Sequence, residues 1–442
     1  MNKTLPKGWV TSKLKHLGQY LNGRAFKPTE WKPEGIPIVR IQNLNNLNAP
    51  FNYTDETYEE KYSIENGDLL MAWSASLGVY FWERGYAWLN QHIFKVLYNE
   101  KIVTKRFLYY CLLVSIDDFY GKTHGTGMVH ITKPIFENHE VSLPPLPEQE
   151  RIVAKLDKLF AQHEKIKAAL NRIPQLLKTF RQQVLTQAVT GKLTAQWREG
   201  KDLEKWKTPT LKDVCFNFKY GSSSKSEEVG KVAVLRMGNL QNGRLDLSDL
   251  KYSNSKAEIE KYTLLPGDVL FNRTNSPELV GKTSIYKGEI PAIYAGYLIK
   301  IENNKSVLNS DYLNFYMNTH RVKVWCNEVK TDGVSQSNIN AQKLAGLEIP
   351  LPPLEEQQEI VRRVESLFAK ADAIEARYLT LKAKIDSLPQ SILHKAFKGE
   401  LVPQLPTDGD AKDLLAEIMA LKKISKGGSK TDELPNEIKI KS

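Results

Sequence analysis

The 442-residue chain has only three cysteines, Cys111, Cys215 and Cys326, widely spaced and without a C-x-x-C pair. That sparse, odd set fits a reducing cytoplasm and argues against a disulfide framework or a zinc ribbon. No apolar run approaches the roughly eighteen residues of a membrane span, so no membrane partner is expected. The opening "MNKTLPKGWVTSKLK" has no apolar stretch of signal-peptide length. Catalytic signatures are missing as well. No Asn-Pro-Pro or Asp-Pro-Pro occurs, and the Pro-Pro pairs at Pro144-Pro145 and Pro352-Pro353 sit between leucines. A phosphate loop needs glycine at its first position, whereas "SPELVGKT" begins with Ser276 and "IDDFYGKT" with Ile116. His124, His130 and His139 have neither Cys partners nor H-E-x-x-H spacing. The expectation is no catalytic residue, no bound metal and no cofactor in this chain.

The formal charge is +11. Such an excess suits a polyanion, because each neutralised phosphate releases condensed counterions. Charge alone does not separate a nucleic-acid binder from an ordinary basic protein.

Internal repetition is the strongest signal. "LPPLPEQERIV" from Leu143 and "LPPLEEQQEIV" from Leu351 share eight of eleven residues at an offset of 208. The register continues: Leu159-Phe160-Ala161 matches Leu367-Phe368-Ala369, and Gly191-Lys192-Leu193 matches Gly399-Glu400-Leu401. The chain is a tandem duplication. After each "LPPL" apolar residues recur at alternating steps of four and three. Ile152, Leu156, Leu159, Ile166 and Leu170 form one seam, with His163 as its one polar entry. Ile360, Val364, Leu367, Ile374 and Leu381 form the other. A heptad seam this narrow wants one partner helix, and the other copy is the obvious one. An intramolecular, antiparallel coiled coil is expected. Pro147, Glu148 and Glu150, and Glu355, Glu356 and Glu359, favour the first turns, so the "PEQ" and "EEQ" letters can be read simply as helix initiation. Gly191 and Gly399 suit the left-handed residue after a last turn. Pro174 and Pro389 are expected to kink or break the helices.

Ahead of each helix lies a segment with short β-branched and aromatic runs between Gly, Asn and Asp turns. "IPIVRIQNL" from Ile36, "GDLLMAW" from Gly67 and "HIFKVLY" from His92 read as strands. So do "KVAVLRMGNL" from Lys231, "GDVLFNRTN" from Gly267 and "GYLIKI" from Gly296. The fold class expected is α+β: a mixed, largely antiparallel domain followed by a long helix, twice. The segments are 1–145 and 197–350 for the domains, 146–196 and 351–402 for the helical regions, and 403–442 for the tail. In that tail Ala411 to Lys423 reads as a short amphipathic helix, followed by a basic, disordered end. Arg40 and Asn43 align with Arg236 and Asn239, but offsets drift from 196 to 205, so the loops differ in length.

Variable domain, helix, variable domain, helix resembles the specificity subunit of type I restriction-modification systems. The most specific strings are "LPPLPEQERIVAKLDKLFA", "VLTQAVTGKLTAQWRE" and "EEQQEIVRRVESLFAKADAIEARY", with "LPKGW" at Leu5 and "SILHKAFKGELV" near the end. They are similar to the enterobacterial class often labelled IA. The resemblance implies that each variable domain is a target-recognition domain for one half of an asymmetric, split site in double-stranded DNA. It also implies that the helices set the spacer and dock two methyltransferase subunits. S-adenosylmethionine, used for adenine-N6 methylation, and the ATP and Mg of the motor-nuclease subunits would reside in those partners.

Arg and Lys suit guanine, Asn and Gln adenine, and small polar residues either. In the first domain the candidates are Asn22, Arg24 and Lys27 in "NGRAFKP", Arg40, Ser74 and Ser76 in "SAS", and His124 and Thr126 in a glycine-rich stretch. In the second they are Ser223 and Lys225 in "GSSSKS", Arg236, Asn239, Arg273 and Asn275 in "NRTNS", and Gln336 and Asn338. Lys27 and Lys225 suit phosphate better than base. Arg40 and Arg236 can equally pair with a buried acid, and Trp73, Tyr80, Trp82 and Trp88 fit a core. Two other classes compete: a self-contained enzyme, opposed by the missing motifs, and a structural coiled-coil scaffold with two domains that bind something other than DNA.

Overall fold

The computed structural model describes residues 5–122, 130–334 and 336–416. It divides into two compact units. Unit 2 is one continuous stretch, Leu170–Thr380. Unit 1 is built from the two flanking stretches, Met1–Ala169 and Leu381–Ser442. The fold is the tandem α+β architecture expected.

Unit 1 carries two four-stranded sheets. In the first, Gly18–Asn22, Ile93–Tyr98, Leu69–Ala72 and Gly78–Phe81 lie side by side, every pair antiparallel. In the second, Ile36–Val39 pairs antiparallel with Asn52–Thr54 and parallel with Ala87–Leu89. Unit 2 repeats the plan. Cys215–Tyr220, Leu298–Asn303, Val269–Asn272 and Thr283–Ile285 form the antiparallel sheet, and Val232–Leu235 pairs parallel with Ala292–Tyr294. It adds a small sheet of Thr274–Asn275, Ser337–Asn338 and Thr331–Asp332. The stretches read as single strands are shorter than their apolar letters. After Val39 and after Leu235 the chain turns at once into a helical turn, because the Asn43 and Asn239 carboxamides accept the Arg40 and Arg236 N–H groups at 3.0 and 2.8 Å.

The helices follow the heptads. Leu146–Leu170 and Ile173–Val189 belong to the first copy and Leu354–Ala396 to the second. Within unit 1, Ile152 and Leu156 share a core with Ile392 and Leu393, while His163 Nε2 meets the Ile385 carbonyl at 2.9 Å. Numbers rise on one helix as they fall on the other, so the two run antiparallel. Within unit 2, Val184 and Leu185 share a core with Ile360 and Val364, and Arg181 reaches Asp372 at 2.8 Å, again antiparallel.

The seam is thinner than expected. Leu156, His163, Leu170, Leu177 and Val184 are buried at intervals of seven, and so are Val364 and Ala371, then Ile385 and Ile392, with half-buried Tyr378 at the position between them. Ile152 and Ile360 are also buried, and Leu159 and Leu367 half-buried. Ile166, Ile374 and Leu381 are not enclosed: 44, 50 and 45 % of their surfaces are exposed. A pair of helices covers a heptad position from one side only, and here a single position per heptad faces the partner squarely. Pro174 does coincide with a break, at residues 171–172. Pro389 does not break its helix, which runs unbroken through it.

Each helix start is clamped by the domain ahead of it. Gln149 Nε2 donates to the Ile102 and Pro144 carbonyls, and Gln357 Nε2 to those of Val307 and Pro352. Trp9 Nε1 donates to Glu148 at 3.0 Å, and Trp206 Nε1 to Glu356 at 2.9 Å. The repeated Glu-Gln letters therefore fix helix to domain as well as starting the helix. Gly191 and Gly399 have φ of 74° and 75°, the left-handed termination expected. Past Gly399 the chain returns to the beginning of unit 1. Ala411 N–H donates to Gly8 O, Gln404 Nε2 to Lys7 O, and Arg151 pairs with Asp408. Ala411 is fully buried in the unit 1 core with Leu414 and Leu415 against it. The start of the amphipathic tail helix thus packs on the first domain; Ile418, Leu421 and the basic end lie outside the described residues.

Candidate nucleic-acid interface

In unit 1 five main-chain hydrogen bonds draw several strand ends to one edge. Gly23 N–H donates to Ile93 O, Arg24 N–H to Leu89 O, Asn90 N–H to Val39 O, Trp73 N–H to His92 O and Ile131 N–H to Trp73 O, at 2.8–3.2 Å. Unit 2 makes the same five. Gly221 donates to Leu298, Ser222 to Tyr294, Ala295 to Leu235, Arg273 to Tyr297 and Ile339 to Arg273, at 2.9–3.3 Å. The glycine opening each set is required: a Cβ on Gly23 would collide with the Leu89 carbonyl, and one on Gly221 with that of Tyr294. These bonds make Arg24 equivalent to Ser222, Trp73 to Arg273, Asn90 to Ala295 and His92 to Tyr297. One backbone frame carries two different sets of side chains.

Most sequence-derived candidates stand on this edge or beside it. Asn22 and Lys27 are exposed, and Arg24 is held by Glu30 at 2.6 Å with its guanidinium 4.0 Å from the centre of the Tyr58 ring. That ion pair raises the Arg24 pKa and lowers that of Glu30. Arg40 lies over Trp31 at 5.5 Å, its Nη1 3.5 Å from Asn52 Oδ1, rather than on an acid. Arg236 pairs with Asp249 at 2.9 Å, but that carboxylate is largely exposed, so among the described residues neither arginine meets a buried acid. Arg273 spreads over Tyr220 at 4.7 Å and donates from Nη1 to Gly296 O. Asn338 Nδ2 donates to Thr274 Oγ1, and Asn275 Oδ1 accepts the Ser276 N–H. Ser223, Lys225 and Gln336 are exposed and Ser76 is half-buried. Trp82 and Trp88 are core residues, while Trp73 and Tyr80 are only partly covered.

Two candidates are spent on the fold. Asn239 is 3 % exposed, and its Nδ2 also donates to the Asp246 and Asp249 carbonyls, so it orients the Arg236 turn instead of offering an edge to a ligand. Ser74 is likewise buried, bridged to His130. His124 and Thr126 lie outside the described residues.

The edge also holds residues the sequence did not single out. His92 packs at 5.4 Å from Trp73, with His130 at 4.9 Å on the same indole. Burial, then the nearby His130 and Arg40, pushes the His92 pKa down, so its ring favours the neutral form. Trp73 Nε1, His92 Nδ1, Arg236 Nε and Arg273 Nε are buried with no hydrogen-bond partner among the described residues, and buried polar groups are ordinarily paired. The signal was the first letter of "HIFKVLY" and the second of "GYLIKI", where a turn passes into a strand. Among the described residues no helix is long and apolar enough to cross a membrane.

Residues 6–175 and 203–383 match the family model described as the type I restriction modification DNA specificity domain. The chain is 31 % identical to the EcoKI specificity subunit of Escherichia coli K12, covering 96 % of this chain and 98 % of that one. It is 29 % identical to the StySPI specificity subunit of Salmonella potsdam, covering 97 and 98 %. Among solved structures, the HsdS subunit from Thermoanaerobacter tengcongensis superposes with a TM-score of 0.61 at 19 % identity, over 91 % of this chain and all of that one. A chain from a study of type I R-M complex assembly gives 0.67 at 20 %, over 90 and 100 %. At those identities the likeness is one of fold.

Proposed function

The chain belongs to the type I restriction-modification DNA specificity family, and from that membership we propose that each unit reads one half of an asymmetric, two-part site in duplex DNA. The observation that carries this reading is the five-bond frame repeated at one edge of both units with different side chains on it. A common frame supplies a common docking geometry. Different side chains ask for different bases. Arg273 is the leading base reader of unit 2, and Arg40 with the Trp73–His92–His130 group that of unit 1. Exposed Lys27 and Lys225 serve as phosphate contacts.

In this reading the chain is non-catalytic and binds no cofactor. It works in the cytoplasm with two methyltransferase subunits and with motor-nuclease subunits, which hold S-adenosylmethionine, ATP and Mg. The helices separate the reading edges and so set the unread spacer. Apolar side chains left in water on the helices, Ile166 and Leu381 in unit 1 and Leu176 and Ile374 in unit 2, support docking of the methyltransferase subunits there.

The test is methylation-aware sequencing of DNA from a host lacking the system, given this chain and its cognate methyltransferase subunit. A new asymmetric, two-part N6-methyladenine motif, absent when either protein is omitted, is expected. A soluble complex that yields no motif overturns the reading in favour of a structural scaffold.

A further inference from the structure

The Gly281-Lys282-Thr283 string is no phosphate loop: Thr283 opens a strand, and its Oγ1 donates to the Gly281 carbonyl. Lys282 instead helps line a cleft of about 530 Å³ confined to unit 2. Lys178 and Arg181 come from the helix Ile173–Val189, Arg244 from the start of the strand Arg244–Leu245, Lys282 from the residue just before the strand Thr283–Ile285, and Lys323 from the helix His320–Val329. Three carboxylates share the cleft, and each is already engaged. Asp372 binds Arg181 and Arg244, Glu375 binds Arg181, and Glu278 is held in its own turn with Ser276. Among the described residues Lys282 donates only to the neutral Gln241, and Lys178 and Lys323 are in no ion pair. Burial, together with the like charges of Lys178 and Lys282, pushes the Lys323 pKa down. Five cations thus share one cleft with three carboxylates, and among the described residues none of the three ammonium groups is in a salt bridge, an arrangement that a bound anion would stabilise.

The cleft adjoins the reading edge. Asn272, the residue before Arg273, exchanges main-chain hydrogen bonds of 2.8 Å with Gly281 and Lys282. Its other wall is the helix. We infer that this cleft receives a backbone phosphate of the duplex on the spacer side of the half-site read by unit 2, a sequence-independent anchor built from Lys178, Lys282 and Lys323. The inference rests on the DNA-reading function proposed above. It adds a contact that no base pair specifies, because lysine recognises phosphate as a point charge.

The experiment uses the full chain with its methyltransferase subunits and duplexes carrying the methylated motif. The first arm compares wild type with the double variant Lys178→Ala/Lys323→Ala. Affinity is expected to fall about three- to tenfold, equally for cognate and non-cognate duplexes, with the slope of log K against log salt smaller by about one per lost phosphate. The methylated motif should be unchanged. The second arm needs no variant: neutral methylphosphonate linkages are placed one at a time through the spacer. One or two positions beside the second half-site should weaken wild type and have no further effect on the double variant. An unchanged salt slope, an altered motif, or lost subunit assembly with intact duplex binding would each overturn the inference. If wild type itself shows no sequence preference, it is the underlying reading that has failed.

Discussion

His163 Nε2 donates to the Ile385 carbonyl oxygen at 2.9 Å, and that oxygen is the one Pro389 leaves without its helical partner. A proline four residues on has no N–H to offer. The imidazole from the neighbouring helix supplies the missing donor, which explains both the polar entry in an apolar seam and a helix unbroken by its proline. His163→Leu should lower stability by about 1–3 kcal/mol, the range for an unpaired buried carbonyl. Pro389→Ala in that background should recover most of the loss by restoring a backbone donor. A double-mutant cycle by urea denaturation checks the coupling, and additive effects would refute it.

Glu148 gives a prediction with a sign in pH. Burial is the main cause holding its carboxyl above the usual range, with the Trp9 indole opposing. The native state therefore keeps this proton to higher pH than the unfolded chain. Stability from this site is full at low pH and is lost as pH rises through the native value. Glu148→Gln keeps an acceptor for Trp9 and removes the charge. Its melting temperature should exceed that of wild type at neutral pH, and the gap should close on acidification to about pH 4, the ordinary glutamate range.

Arg273→Ala should change only one half of the methylated motif. Loss of an arginine base contact costs about 1–3 kcal/mol of discrimination at one position. Sequencing should show that position relaxed while the other half-site keeps its letters. Changes in both halves would mean that Arg273 acts through the fold.

A seven-residue insertion in each long helix, placed to keep the one-in-seven burial register, should lengthen the unread spacer. Seven residues add about 10.5 Å of helix, close to three base pairs at roughly 3.4 Å each. The half-site sequences should stay the same. A spacer of unchanged length would remove the helices from the role of ruler.

The helix registers and the terminating glycines were legible because they depend on neighbours three to seven residues away, and the duplication because its copies keep a constant offset of 208. So was the pairing of Arg40–Asn43 with Arg236–Asn239, although the asparagines turned out to cap turns. The over-read seam residues, Ile166, Ile374 and Leu381, show that periodicity fixes a stripe but not the depth of its cover. His92 and Tyr297 stayed hidden for a different reason. Their equivalence is set by hydrogen bonds to Trp73 and Arg273 across loops of unequal length, so no constant offset reveals it. The role of His163 needed the partner helix, because Pro389 lies more than two hundred residues away in sequence.

Unit 1 is closed by the last stretch of the chain, with Phe397 and Ala411 in or against its core and Asp408 on Arg151, while unit 2 is complete in one uninterrupted run. On the ribosome the order of maturation is therefore inverted. Unit 2 has all its parts once residue 380 has emerged, whereas unit 1 waits, with an unfinished core, for the stretch from Leu381 to Leu415. A chain cut short before Phe397 would thus lose part of the core of unit 1, the unit that its own first residues begin.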